Sequence, residues 1–229
     1  MYLGMATWSQ TGSSIVQQGI AVLAVFIRAA NHLSLSEMGL LTSATSLGVV
    51  LGLLVAGPQV DRRGPRVVLL VGSMWATLAV LALSQGRTLL ALGLGLVMLG
   101  CGISVYASSG TRAVFDAFPA ERRGFVMGIR QTGVVLGSAI AASVLPAVAL
   151  GIGIHGVFLL EGALLVAAGV PFALVMRRHA RSEGAAPSRS WRELKGALAP
   201  FLTASLLVSA QYCPLAFVMT DLHAVQGWS

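Results

Sequence analysis

Charge is scarce in this sequence. Of 229 residues only 10% are Asp, Glu, Lys or Arg, and the acids number 8. A soluble domain needs a charged, hydrated surface, and no interior of this size hides 56% apolar residues together with 27 glycines. Mean hydropathy is +0.83. Lipid is therefore the solvent for most of the chain. Cysteine is scarce too: Cys101 and Cys213 both fall in apolar runs, which excludes a disulfide framework and reads as two free thiols. His32, His155, His179 and His223 have no ligand spacing, so no metal is expected. There is no Walker-type phosphate loop and no catalytic constellation, which argues against ATP drive, a cofactor or an enzyme. The start lacks a basic n-region and a small-residue cleavage site, so its apolar stretch reads as a retained helix and not a signal peptide.

What the chain does have is seven apolar stretches, each near the roughly 20 residues a membrane span needs. They lie near 5–28, 37–58, 67–84, 89–110, 124–148, 156–176 and 198–220. Basic residues outnumber acids 15 to 8, giving a net charge of +7. That excess would suggest nucleic acid in a soluble protein. Here it sits in short tracts without interleaved aromatics, so no nucleic-acid partner is expected. Segments 61–66, 116–123 and 177–196 carry Arg62, Arg63, Arg66, Arg122, Arg123, Arg177, Arg178, Arg181, Arg189, Arg192 and Lys195, against Arg28 and Arg87 in the alternate connections. The positive-inside rule then puts the N-terminus and the three basic segments in the cytoplasm, with the 149–155 turn outside. Segment 177–196 is charged and bears Pro and Ser, as a linker does. The expected organisation is an all-α membrane protein: a six-helix bundle over 1–176, a cytoplasmic linker over 177–196, and over 197–229 the first helix of an incomplete second bundle.

Gly48-Val49-Val50-Leu51-Gly52 in span two recurs as Gly133-Val134-Val135-Leu136-Gly137 in span five, each copy followed by a proline, Pro58 or Pro146. Spans one and four are polar, two and five glycine-bearing, three and six nearly featureless. This is a three-helix unit used twice, and the odd helix count inverts the second copy. The helical period places Gln10, Ser13, Gln17 and Arg28 on one face of span one, and Cys101, Ser104, Ser108 and Thr111 on one face of span four. Ser205, Ser209 and Tyr212 repeat the theme in span seven. Interhelical hydrogen bonds explain any one such residue; three corresponding faces point to a shared hydrated cavity.

Between spans two and three the chain reads Gly57-Pro58-Gln59-Val60-Asp61-Arg62-Arg63-Gly64-Pro65-Arg66. Gly57 allows close helix approach, Gly64 permits a tight reversal, and Asp61 can meet a positive charge or a helix N-terminus. The segment resembles the loop 2–3 signature of the major facilitator superfamily, Gly-x-x-x-Asp-Arg/Lys-x-Gly-Arg-Arg/Lys, at Gly57, Asp61, Arg62, Gly64 and Arg66; Pro65 replaces a basic residue. Phe118–Gly124 and Met127–Gly133 are similar to loop 4–5 and the fifth helix of bacterial members. Ser138 follows Gly137 where the antiporter pattern has proline, so direction of coupling stays open. The resemblance implies the first seven helices of a twelve-helix secondary transporter in a bacterial-type cytoplasmic membrane. It implies movement of a small solute by alternating access, with Asp61, Arg62 and Arg66 in a gating network that meets acids such as Asp116. A non-transporting scaffold or partner subunit made of the N-terminal half is the alternative, and self-association is expected if the chain is complete.

Arg112 and Asp116, at i and i+4, are expected to pair and to serve with Arg130 as gating partners. Arg130 lies inside span five on the face of Gly133 and Gly137. It either reaches back to the interface, pairs with Asp116 or Asp61, or serves the pathway. Gln17, Gln18, Ser108, Gln131, Gln211 and Tyr212 are the candidate solute contacts. Glu161, the only acid inside a span away from its first residue, is either interfacial or a proton-coupling carboxylate. The excess of Arg28, Arg112 and Arg130 tilts the solute toward an organic anion, with a proton or ion as the co-transported species.

Overall fold

The computed structural model describes residues 1–176 and Thr203. The expected linker and, apart from Thr203, the seventh span with Gln211 and Tyr212 lie outside the described residues. Six helices follow in chain order: α1 (Tyr2–Val22), α2 (Ala24–Asn31), α3 (Leu35–Arg63), α4 (Pro65–Gln85), α5 (Leu89–Ala117) and α6 (Ala120–Val175), with no strand among the described residues.

Local chemistry sets most of the boundaries. Ser34 and Glu37 form a capping box at the start of α3: the Glu37 amide donates to Ser34 Oγ at 3.2 Å and the Ser34 amide to Glu37 Oε2 at 2.8 Å. Gly64, at φ 82°, turns the chain from α3 into α4, and Pro65 opens the new helix where its missing N–H costs nothing. Thr88 Oγ1 caps α5 by accepting from the Ala91 amide at 3.2 Å.

Two elements depart from expectation. The first span is broken at Leu23, where α1 and α2 meet at 53°. Arg28 lies beyond that break, exposed, its Nε donating to the Leu33 carbonyl at 3.1 Å, so it does not share the face of Gln10, Ser13 and Gln17. α6, at 56 residues, would be ~84 Å long if straight, nearly three times a hydrocarbon core of about 30 Å. It is not straight. Gly153 sits at φ 72°, ψ 170°, and the chain folds back there. Leu145 and Glu161 both touch Gly19, while Gly137 meets Ser14 and Ala168 meets Gly12, so arms 120–152 and 154–175 run antiparallel along α1. The expected 149–155 turn thus contracts to a single residue. With α1 and α2 counted as one bent span, the described residues form six spans.

Glycines govern how these spans pack. A Cβ at Gly48 would overlap the Val97 carbonyl, and one at Gly100 the Thr45 carbonyl, so α3 and α5 touch backbone to backbone. Gly133 and Gly137 do the same for α6 against α1, facing Thr7, Thr11 and Ser14. The two copies of Gly-Val-Val-Leu-Gly therefore do one job: the second helix of each three-helix unit packs on the first helix of the other. The third helices meet as well, with Gly169 against Ser73 and Thr77 Oγ1 donating to the Gly162 carbonyl at 3.3 Å. Outside, Leu54, Val71, Leu78 and Val135 are each at least 60% exposed, a surface that lipid covers and water does not.

Candidate functional site

The ends of α3 and α5 next to the Gly64 turn carry a charge network. Arg112 Nη1 lies 3.3 Å from Asp61 Oδ1, and Arg112 Nε lies 3.1 Å from Asp116 Oδ1, one helical turn further on. One guanidinium thus holds two carboxylates, one on its own helix and one on α3. Arg62 is exposed, Arg66 half-buried, and neither enters these two pairs. Asp61 and Arg112 line a cavity of about 380 Å³ between α3 and α5, together with Gly57, Ser108 and Thr111.

Arg130 lies one side chain behind that cavity. It is 2% exposed, about 15 Å along α6 from Ala120. Its Nη2 donates to Gln10 Oε1 of α1 and to the Tyr106 carbonyl of α5 at 3.0 Å; its Nη1 lies 3.5 Å from Thr111 Oγ1. Neither Asp61 nor Asp116 reaches it, and its burial excludes the aqueous interface, so two of the three expected roles fall away. Its Nε finds no acceptor among the described residues. Gly110 makes the room: a Cβ there would lie 2.8 Å from both Cζ and Nε of Arg130. This is a buried cation held by neutral groups, with no carboxylate in ion-pair range among the described residues.

Glu161 is the corresponding buried acid, and the interfacial expectation is corrected. It is 0% exposed, packed against Gly19 and Leu145 inside the bundle, and neither carboxylate oxygen has a hydrogen-bond partner among the described residues. Gln17 and Gln131 are exposed, and Gln18 Nε2 lies 3.4 Å from Ser138 Oγ. Ser104 leaves the expected cavity face: it is buried against Gly52 and donates to the Cys101 carbonyl at 2.7 Å. The sequence singled out Arg130 but missed Gly110 and the Tyr106 carbonyl. Gly110 had a weak signal, a glycine between Ser109 and Thr111 at the end of the expected span; a carbonyl has none.

Six bundled spans, glycine crossings and a charged cavity at one end define a polytopic helical membrane protein. The profile of the Major Facilitator Superfamily matches residues 7–229, and the chain belongs to that family. It is 31% identical over 223 residues to an "Uncharacterized MFS-type transporter" of Mycobacterium tuberculosis, covering 92% of this chain and 48% of the relative. It is also 31% identical over 165 residues to the "Probable sulfoacetate transporter" of Cupriavidus necator, covering 72% of this chain and 38% of that protein. The chain spans about half the length of the curated relatives it matches. Its fold matches a crystal structure of the peptide transporter POT (an E310Q mutant in complex with sulfate) with a TM-score of 0.69 at 16% identity, over 99% of this chain and 47% of that one.

Proposed function

We propose that this chain is part of a secondary transporter of small organic anions. It works by alternating access in a bacterial-type cytoplasmic membrane, with the N-terminus in the cytoplasm. One observation carries the anion: Arg130 is buried with hydrogen-bond acceptors but no counter-charge among the described residues. A charged residue inside a span costs about 2.5–3.5 kcal/mol on insertion scales, and neutral acceptors leave the charge itself uncompensated. An anionic solute supplies what is missing. The Cupriavidus relative is named for such a solute, sulfoacetate.

Asp61, Arg112 and Asp116 form the latch that holds one end of the cavity closed. Both ion pairs are partly exposed, so each contributes only about 0–1 kcal/mol and can break during a transport cycle. The solute route passes Ser108 and Thr111 to reach Arg130, with Gln17, Gln18 and Gln131 on adjoining surfaces. Proton coupling is assigned to Glu161, the buried acid among the described residues. The test is uptake of small carboxylates and sulfonates by the full-length transporter in proteoliposomes. Arg130→Gln is expected to abolish anion uptake at matched incorporation, and Arg130→Lys to retain part of it. Wild-type anion uptake by Arg130→Gln would overturn the assignment.

A further inference from the structure

A second cavity, of about 360 Å³, lies on a different side of α3 from the charge network, between α3 and α4 with α5 as its floor. It exists because α3 and α4 each pack along α5 and barely touch one another beyond the Gly64 turn. Its walls are apolar and open outward: Leu51, Val71 and Trp75 line it at 44%, 60% and 45% exposure. The indole of Trp75 is fixed, its Nε1 donating to the Met98 carbonyl at 3.0 Å. At the end beside the Gly64 turn the lining becomes polar. Arg63 stands there exposed, and Gln59 offers a buried Oε1 that has no donor among the described residues. From Leu51 to Arg63 the α3 wall is about 18 Å long, against roughly 15 Å for the hydrocarbon depth of one leaflet.

We propose that this groove binds one acyl chain of an anionic phospholipid, with the phosphate on Arg63 and a headgroup hydroxyl donating to Gln59 Oε1. The length fits a chain lying in one leaflet. The charge fits because a polar end with Arg63 and no acid among the lining residues attracts a net negative headgroup. The orphaned Gln59 oxygen selects a headgroup that carries a hydrogen-bond donor, and Arg63 one with net negative charge; phosphatidylglycerol has both, phosphatidylethanolamine has a donor without the net charge, and phosphatidylcholine has neither. Arg63 is the one basic residue of the 61–66 segment that the gating signature leaves unassigned. The site is independent of the solute pathway, so its failure would leave the transport reading intact.

The experiment is native mass spectrometry of the protein released from nanodiscs of equimolar phosphatidylglycerol, phosphatidylethanolamine and phosphatidylcholine. Wild type is expected to retain phosphatidylglycerol in preference to the other two. Arg63→Gln should lower that occupancy about fivefold, the effect of one basic residue near the membrane surface. Val71→Trp should close the chain slot and remove the adduct, and Arg122→Gln, a basic residue outside the groove, should behave as wild type. Gln59→Leu leaves the packing and the charge in place and should lower the retention of phosphatidylglycerol while keeping the part of the preference that Arg63 supplies; this keeps the test decisive if Val71→Trp does not insert. Equal retention of the three lipids by wild type, or undiminished phosphatidylglycerol on both Arg63→Gln and Gln59→Leu, would overturn the site and leave the groove to a protein segment.

Discussion

Arg130 can stand inside the bundle because three neighbours accommodate it: Gln10 and the Tyr106 carbonyl accept its protons, and Gly110 has no side chain where its guanidinium lies. Gly110→Val would force that group out of place, since its Cζ and Nε, and not a free end alone, occupy the space. The expected result is a loss of about 1–3 kcal/mol in stability, the usual range for overpacking, together with loss of anion uptake. Thermal unfolding in detergent checks it, with Gly124→Val as the control because nothing lies within 4 Å of a Cβ at Gly124. Equal melting of the two variants would show that Arg130 repacks freely. At this scale the sequence was informative where partners are neighbours along one helix. Arg112 and Asp116 at i and i+4 pair as their spacing requires. It was silent where partners come from three helices, as at Arg130. It left two readings open at Glu161, because a lone acid near the end of an apolar stretch looks interfacial until the packing of α1 against it is known.

The elements are held by close backbone approach more than by side-chain bulk. Gly48 and Gly100 face each other's helices so directly that any Cβ meets a carbonyl, which has no rotamer to relax into. Gly100→Ala should therefore destabilise the α3–α5 pair by about 1–3 kcal/mol. Gly39→Ala, also helical but with nothing near its Cβ, should be neutral or stabilising by up to about 1 kcal/mol. Parallel chemical or thermal unfolding of the two variants reads the difference, and a Gly100→Ala protein as stable as wild type would mean that the helices slide apart at little cost. Spans and their repeat were legible because lipid imposes one rule along a whole helix, and the five-residue glycine pattern marks the same crossing twice. The bend at Leu23 was not, and the reversal, expected within 149–155, could not be placed at one residue. Gly153 is one glycine among Gly151, Gly153 and Gly156, distinguished only by its backbone angles.

For the whole molecule, the orientation proposed from the distribution of basic residues is testable at two exposed points. Glu121 lies at the end of the bundle with the Gly64 turn, Gly151 at the opposite end. With Cys101 and Cys213 replaced, a cysteine at Gly151 should react with an impermeant thiol reagent added to intact cells, and one at Glu121 only after permeabilisation. The reverse pattern would invert the topology.

The central claim is that the cavity between α3 and α5 is one wall of a pathway that opens alternately to the two sides, latched by Asp61 on Arg112. The most direct measurement is the reaction rate of a cysteine placed at Ser108, in the full-length transporter free of other reactive thiols, with reagent supplied from the side of the Gly64 turn. Asp61→Asn keeps the shape but removes the charge, so the account predicts faster labelling from that side, membrane expression near wild type, and slower anion transport. A saturating anionic solute should change the wild-type rate and leave that of Asp61→Asn, Arg130→Gln unmoved. Identical labelling in wild type and Asp61→Asn, with no response to solute in either, would contradict it.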